Sequence, residues 1–358
     1  MPANSSLVVI NCGYYSVNFS RWLTPCALRL LTGIDSGPII GYPIFEAISL
    51  SNYYAPLEQD ALLHIIGPDA LKFLQGQVTC DTRKIDSTQA LPGAYCTPQG
   101  RTVCDFLLCE LGPEHIALRM RSDLRAHSAT IFGKYIIFSK AELQPERDDW
   151  LTLGCWGSES AASLAALFGQ LPTRQYACSS GPGFVLIQVD ENATQFECFI
   201  NPSLSATSLQ DISQAMQQGS EAHWQALQIA AGIGRLEAAT TEEFIPQMLN
   251  YDLTGHISFD KGCYTGQEVV ARLHYRGKSK RRLYCAVLPE LAPAGTPVYG
   301  SNSTQSVGNV VNTAQTSDGK LCALVIAAVS QSSERLHLGS EQGPTLALNP
   351  PPYDLGEE

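Results

Sequence analysis

The sequence predicts an α+β fold that ends in a small β-barrel. Three observations lead there. From about Pro56, helical and strand patterns alternate, without the long apolar strands that a doubly wound parallel sheet buries on both faces. Beyond Leu283 the pattern is nearly all β, in short strands parted by Gly, Pro, Asn and Ser, which is the spacing of a small barrel. The composition, 44% hydrophobic and 16% charged over 358 residues, is that of a globular chain with room for two or three domains.

The elements follow in order. "ALLHII" reads as a strand, and "GPDALKFLQG" as a short helix with Pro68 in a first turn that needs no donor and Gly76 as its stop. "VCDFLLCEL" and "HIALRM" pair around the Gly112-Pro113 turn, and Ser122 is expected to cap a helix to about Phe132. A second set repeats the theme: strand "WLTLGCW", helix "SESAASLAALFG", strands "GFVLIQV" and "QFECFI", helix "SLQDISQAMQQG". Helix "SEAHWQALQIAAG" opens a third section. The strands "LYCAVL", "TPVYG", "VGNVVNTA", "KLCALVIAAV" and "PTLALN" form the barrel, and "NPPPYDLGEE" is expected to lie on the surface or hang loose. The expected divisions are an extension over 1–50, α+β regions over 51–145 and 146–282, the barrel over 283–350 and a tail over 351–358.

Charge and cysteine usage narrow the setting. With 23 Lys+Arg against 34 Asp+Glu the formal net charge is −11, which argues against broad coating of nucleic acid and makes direct nucleic-acid binding unexpected. Twelve cysteines are scattered, mostly in apolar runs, with no C-x-x-C pair and no zinc-finger spacing. A reduced, cytoplasmic compartment is expected, with no membrane span, because Asn11, Asn18 and Arg21 interrupt the apolar N-terminal stretch. That stretch lacks acids before Asp35 and reads as a disordered arm, an upstream-extended start or an organellar transit peptide.

One segment stands apart chemically. In "FDKGCYTGQEVVARLHYRGKSKRR", Thr265-Gly266-Gln267-Glu268 has the form of a capping box, so a helix is expected from there to Gly277. Cys263 then precedes a helix N-terminus, with Lys261 two residues before it, and both features favour a thiolate. Gly262 and Gly266 permit a sharp turn. The plainer alternative is a structural cysteine in a tight turn, but its neighbours Lys261, Tyr264 and Thr265 are polar or amphipathic. Arg272, Arg276, Lys278, Lys280, Arg281 and Arg282 follow within eleven residues, either as a solvated charged face or as an anion site beside the thiol. Trp224 is either core or a platform for a heterocycle.

"KGCYTGQEVVAR" followed by "YRGKSKR" resembles the signature of the YgfZ family, folate-binding relatives of the glycine-cleavage T-protein. "GPDALKFLQGQVTCD", "GAYCTPQGRTVCDFLL", "KYIIFSKAEL", "WQALQIAAGIG", "FIPQMLN" and "PPPYDLGEE" agree in order, over roughly 56–358. The resemblance implies a T-protein-like ring of three domains, the last a small barrel. It implies tetrahydrofolate as cofactor and a part in making or repairing iron–sulfur clusters, with transient cluster contact. The implied partners are iron–sulfur assembly or client proteins, including enzymes that methylthiolate tRNA, so that the effect on tRNA is indirect.

By the same resemblance Cys263 is the functional thiol, with Lys261 and Asp105 as the other catalytic candidates. Trp224 matches a tryptophan implicated in folate binding in that family; Tyr264 and Gln267 are further candidate folate contacts, and Arg272 and Arg276 are candidates for the folate's glutamate tail on their charge and not by the resemblance. Two departures stand out: Asp60 where the family often has a tryptophan, and Ala230 where T-proteins place the glutamate that holds the pterin. The T-protein's Asp-Asp pair aligns with Cys104-Asp105. Three functions stay open: a non-catalytic folate-dependent maintenance factor, an aminomethyltransferase-type one-carbon transferase, and a scaffold that docks tRNA or an acidic protein.

Overall fold

A computed structural model describes residues 51–301 and 304–356, so the expectations for residues 1–50 and for the last two residues lie outside the described part. The first elements are β1 (Tyr53–Pro56), β2 (Asp60–Ile66), α1 (Ala70–Gln75), β3 (Leu91–Cys96), β4 (Thr102–Gly112), β5 (His115–Arg121), α2 (Ser122–Ile136) and β6 (Glu142–Gln144). β2 to β6 form an antiparallel sheet in the order β3-β4-β5-β2-β6. Phe106, Leu108, Leu118 and Met120 join Phe73 of α1 and Phe132 of α2 in one core. The alternate residues Leu107, Cys109 and Ala117 point the other way, onto Val185, Ile187 and Phe199 of the next sheet. β4 is thus buried on both faces, which accounts for the consecutive apolar residues Phe106–Cys109 although every pairing in its sheet is antiparallel. Ser122 is the first helical residue of α2 and not its cap; Arg121 holds that place with no side-chain bond.

The next elements are β7 (Leu151–Trp156), α3 (Ser160–Phe168), β8 (Cys178–Gly181), β9 (Phe184–Gln188), β10 (Gln195–Ile200), α4 (Leu209–Ala215), β11 (Gln217–Gln218) and α5 (Glu221–Ala230). The second sheet runs β11-β1-β7-β10-β9-β8, with only β1–β11 parallel. β1 precedes the first sheet in the chain yet completes the second. α4 starts on a full capping box, Ser208 accepting from the Asp211 N–H while Asp211 accepts from Ser208. Leu164 of α3 and Ile212 of α4 pack on Leu153, Leu186, Phe196 and Cys198.

A long connection after α5 leads to α6 (Gln267–Arg276), and the chain then closes a six-stranded barrel. Its strands are β12 (Arg281–Leu288), β13 (Pro297–Gly300), β14 (Ser306–Gln315), β15 (Leu321–Ala328), β16 (Arg335–Leu338) and β17 (Thr345–Asn349). Strand alternation divides β15 cleanly: Ala323, Val325 and Ala327 fill the barrel, while Cys322, Leu324 and Ile326 pack outward on the core that holds Ala226 and Ile229 of α5. β16, with only two leucines, carries too weak a pattern to be read from sequence. The tail is anchored and not loose: Pro351 is buried, and the Tyr353 hydroxyl donates to the Gly232 carbonyl at 2.8 Å and accepts from Asn250 at 3.1 Å. Among the described residues no helix is long and apolar enough to cross a membrane.

Candidate functional site

Lys261 organises the turn that carries Cys263. Its ammonium donates to the carbonyls of Gln75 at 2.9 Å, Val78 at 2.5 Å and Cys80 at 2.8 Å, which matches its three N–H donors to three acceptors. Burial pulls the group down to about 8, so it keeps its proton at neutral pH. It also lies 5.1 Å from the centroid of the buried Tyr264 ring. Lys261 thus has a structural role, with all three donors committed to the loop after α1, beside the assistance to the thiol expected of its charge.

The helix start also differs from expectation. α6 is capped by Gly266 in the left-handed conformation (φ 82°), and Thr265 makes no cap bond; its hydroxyl lies 3.4 Å from Gln77 Oε1 instead. A Cβ on Gly266 would sit 2.5 Å from the Thr97 carbonyl oxygen and 2.9 Å from Cys96 Cβ. Tertiary contact with the β3–β4 hairpin thus sets this turn, and only glycine satisfies both the conformation and the contact. Between these anchors Cys263 is exposed, whereas the other nine described cysteines are buried. Burial pushes the thiols of Cys80, Cys104 and Cys155 up to about 12. On α6, Gln267 is half-buried, and Arg272 and Arg276 are exposed four residues apart on one face.

Asp105 belongs to a second centre that only its carboxylate announced. Its Oδ2 accepts from Arg235 Nε at 2.6 Å and its Oδ1 from the Leu236 N–H at 2.6 Å. Arg235 reaches Asp60 at 3.3 Å, Asp60 lies 3.8 Å from Arg119, and Arg119 grips Glu197 through two bonds of 2.8 and 2.5 Å. None of these five side chains is more than 8% exposed. Burial alone would lower the Arg235 guanidinium, but the carboxylates of Asp60, Asp105 and Glu197 raise it. Both oxygens of Asp105 are thus engaged in holding the segment after α5 against the first sheet. Sequence reasoning missed Arg119, Glu197 and Arg235, whose signal was a lone charge inside an apolar strand ("ALRM", "FECF") or beside a glycine.

His256 borders this centre, stacked on Tyr251 at 4.2 Å. Burial holds it neutral and lowers it to about 4, the Asp105 carboxylate pulling the other way. The unfolded chain takes up this proton near pH 6.5 while the folded one does not, so stability is lost as pH falls from 6.5 towards 4. Between pH 7 and pH 5 the unfolding free energy of the wild type should drop by roughly 2 kcal/mol more than that of His256→Phe. Urea titrations at the two pH values measure this, and equal drops would refute it.

Trp224 is 1% exposed, so it presents no open face. Its indole fills the space over Gly154, where a Cβ would come within 2.6 Å of the ring, and it meets Trp156 at 5.9 Å. The half-buried Tyr53 and His223 also pack on Trp156. The indole N–H groups of Trp224 and Trp156 and the Gln225 amide are buried with no acceptor. Such stranded donors fit the acceptor atoms of a heterocyclic ligand. With Ala230 at the end of α5, that position offers no carboxylate for a pterin's own donors. Among the described residues, no hydrogen bond, ion pair or ring contact joins Trp224 or Asp105 to Cys263, Tyr264, Gln267, Arg272 or Arg276.

No family model matches the chain. Among curated proteins, it is 32% identical over 307 residues to the tRNA-modifying protein YgfZ of Escherichia coli O6:H1, covering 84% of this chain and 93% of that one. It is 30% identical over 324 residues to the protein of the same name from Pectobacterium carotovorum, covering 89% and 96%. Among solved structures, the glycine cleavage system aminomethyltransferase T of Bartonella henselae superposes with a TM-score of 0.68, over 86% of this chain and 87% of that one. At 14% identity that likeness establishes the fold.

Proposed function

Because the chain belongs to the YgfZ family and has the aminomethyltransferase T-like fold, we propose that it supports iron–sulfur enzymes, including those that methylthiolate tRNA, through the thiol of Cys263. The carrying observation is the setting of that thiol: it alone is exposed among the described cysteines, on a turn pinned by the Lys261 bonds and the Gly266 contact. Among the described residues no three His, Cys, Asp or Glu side chains gather as metal ligands. An iron–sulfur cluster takes about four thiolates, so a contact at Cys263 is transient and shared with an assembly or client protein.

The test has two readouts. Alkylation at neutral pH, mapped by mass, labels Cys263 before the other described cysteines. In cells, Cys263→Ser lowers methylthio-tRNA several-fold while the melting temperature stays unchanged. Labelling of a different described cysteine first, or normal methylthio-tRNA in the variant, would sink the reading.

Tetrahydrofolate is the cofactor proposed for the stranded donors; Trp224 and Trp156 would meet it through their N–H groups and not as stacking platforms, since both rings are buried. When bound it carries a one-carbon unit; Ala230 leaves one charge-assisted contact unmade, which weakens binding by about 1.5–3 kcal/mol against a glutamate at that position. Trp224→Phe keeps the packing and removes the N–H, so calorimetry should show tetrahydrofolate affinity reduced about tenfold. Unchanged affinity would exclude Trp224 as a contact.

A further inference from the structure

A surface recess of about 440 Å³ lies where the loop after α1 meets the start and last turn of the Cys263 segment. That volume falls within the range of ~300–1,000 Å³ common for small-ligand sites. Its lining includes Asp81, Lys84, Phe259, Asp260, His274 and Tyr275. Phe259 and His274 are stacked face to face at 3.6 Å, and Tyr275 stands edge-on to both. Tyr275 is 67% exposed, a large aromatic surface left in water. The Asp81 carboxylate is already gripped by Arg83 at 2.8 Å through two nitrogens. Asp260 is exposed.

The segment that supplies His274 and Tyr275 to the recess opposes the whole protein in charge, although Arg282 at its end is paired with Asp252 at 2.7 Å. The chain carries −11, yet residues 272–282 hold six cations and no acid. Arg276 directly follows Tyr275 and Lys278 comes two residues later, both exposed, and Lys84 also lines the recess. An exposed aromatic beside a cationic strip is what unpaired bases need: any base offers a π-face to stack, and its phosphates follow the cations. We propose that this recess docks an unpaired base of single-stranded RNA, such as a loop base of tRNA. The base stacks on Tyr275, its amino group donates to Asp260, and the backbone runs along Arg276 and Lys278. This rests on the tRNA-linked reading above and makes the contact with RNA direct, where net charge alone had set the expectation against it.

The experiment is fluorescence anisotropy on the full chain, with a labelled RNA hairpin and the same stem as a blunt duplex, at about 50 and 200 mM salt. The hairpin binds more tightly than the duplex. Tyr275→Ala weakens hairpin binding roughly five- to hundredfold and leaves duplex binding alone. Arg276→Gln lowers the salt slope by about one. Cys263→Ser binds the hairpin as the wild type does, so loss of the thiol's function and loss of RNA docking are read separately. Equal affinity for hairpin and duplex, indifference to Tyr275→Ala, or displacement of the hairpin by tetrahydrofolate would each overturn the proposal.

Discussion

Replacing Arg119 by Met lowers the free energy of unfolding by about 3–5 kcal/mol, the expected cost of leaving a buried charge without its partner. Glu197 is 0% exposed and both of its oxygens face Arg119, so the truncated cluster strands a carboxylate in the interface of two sheets. Burial already raises the Glu197 carboxyl against the pull of Arg119, and removing the guanidinium leaves desolvation unopposed by its nearest cation. The double variant Arg119→Met, Glu197→Leu should recover most of the loss, because well-packed apolar atoms replace an ion pair at little net cost. Urea unfolding of the two singles and the double measures the coupling. A single-variant loss below about 1 kcal/mol would show that water reaches this site.

Lys261→Met should cost about 3 kcal/mol, because three carbonyls lose a charged side-chain donor in a buried turn. Lys261→Arg should not rescue it, since a planar fork cannot converge on three acceptors as an ammonium does. The functional consequence separates positioning from chemistry. Lys261→Met lowers both stability and methylthio-tRNA with Cys263 still present, whereas Cys263→Ser lowers methylthio-tRNA alone. A Lys261→Met protein with wild-type melting temperature and wild-type methylthio-tRNA would remove Lys261 from both roles.

Much of this architecture is legible locally. The helix "SLQDISQAMQQG", the strand "KLCALVIAAV" and the glycine after α1 are short-range signals, and the structure follows them. The barrel emerged from strand spacing, and the Cys263 segment from its composition. Features that depend on distant partners did not. Arg119 and Glu197 lie 78 residues apart, and nothing local in either strand names the other. The Thr265 capping box failed because the approach of Thr97 and Cys96 imposes a left-handed Gly266, a tertiary demand that outweighs a local preference. Lys261 looked like a partner for the thiol beside it in sequence, yet its acceptors lie more than 180 residues away. The recess joins residues 80–91 to residues 255–275 and is equally invisible in one dimension.

The place of β1 has a consequence for how this chain can be made and cut. Four residues at the start of the described part plug the flank of β7, which is translated almost a hundred residues later. During synthesis the first sheet can pair its strands while β1 waits, its hydrogen-bonding groups unspent, for a partner still on the ribosome. The ordering also defeats modular excision. A fragment beginning after β6 leaves β7 with a bare rim, the kind of edge that recruits foreign strands. Any attempt to isolate the second sheet must carry β1 with it, spliced ahead of β7 or supplied as a peptide.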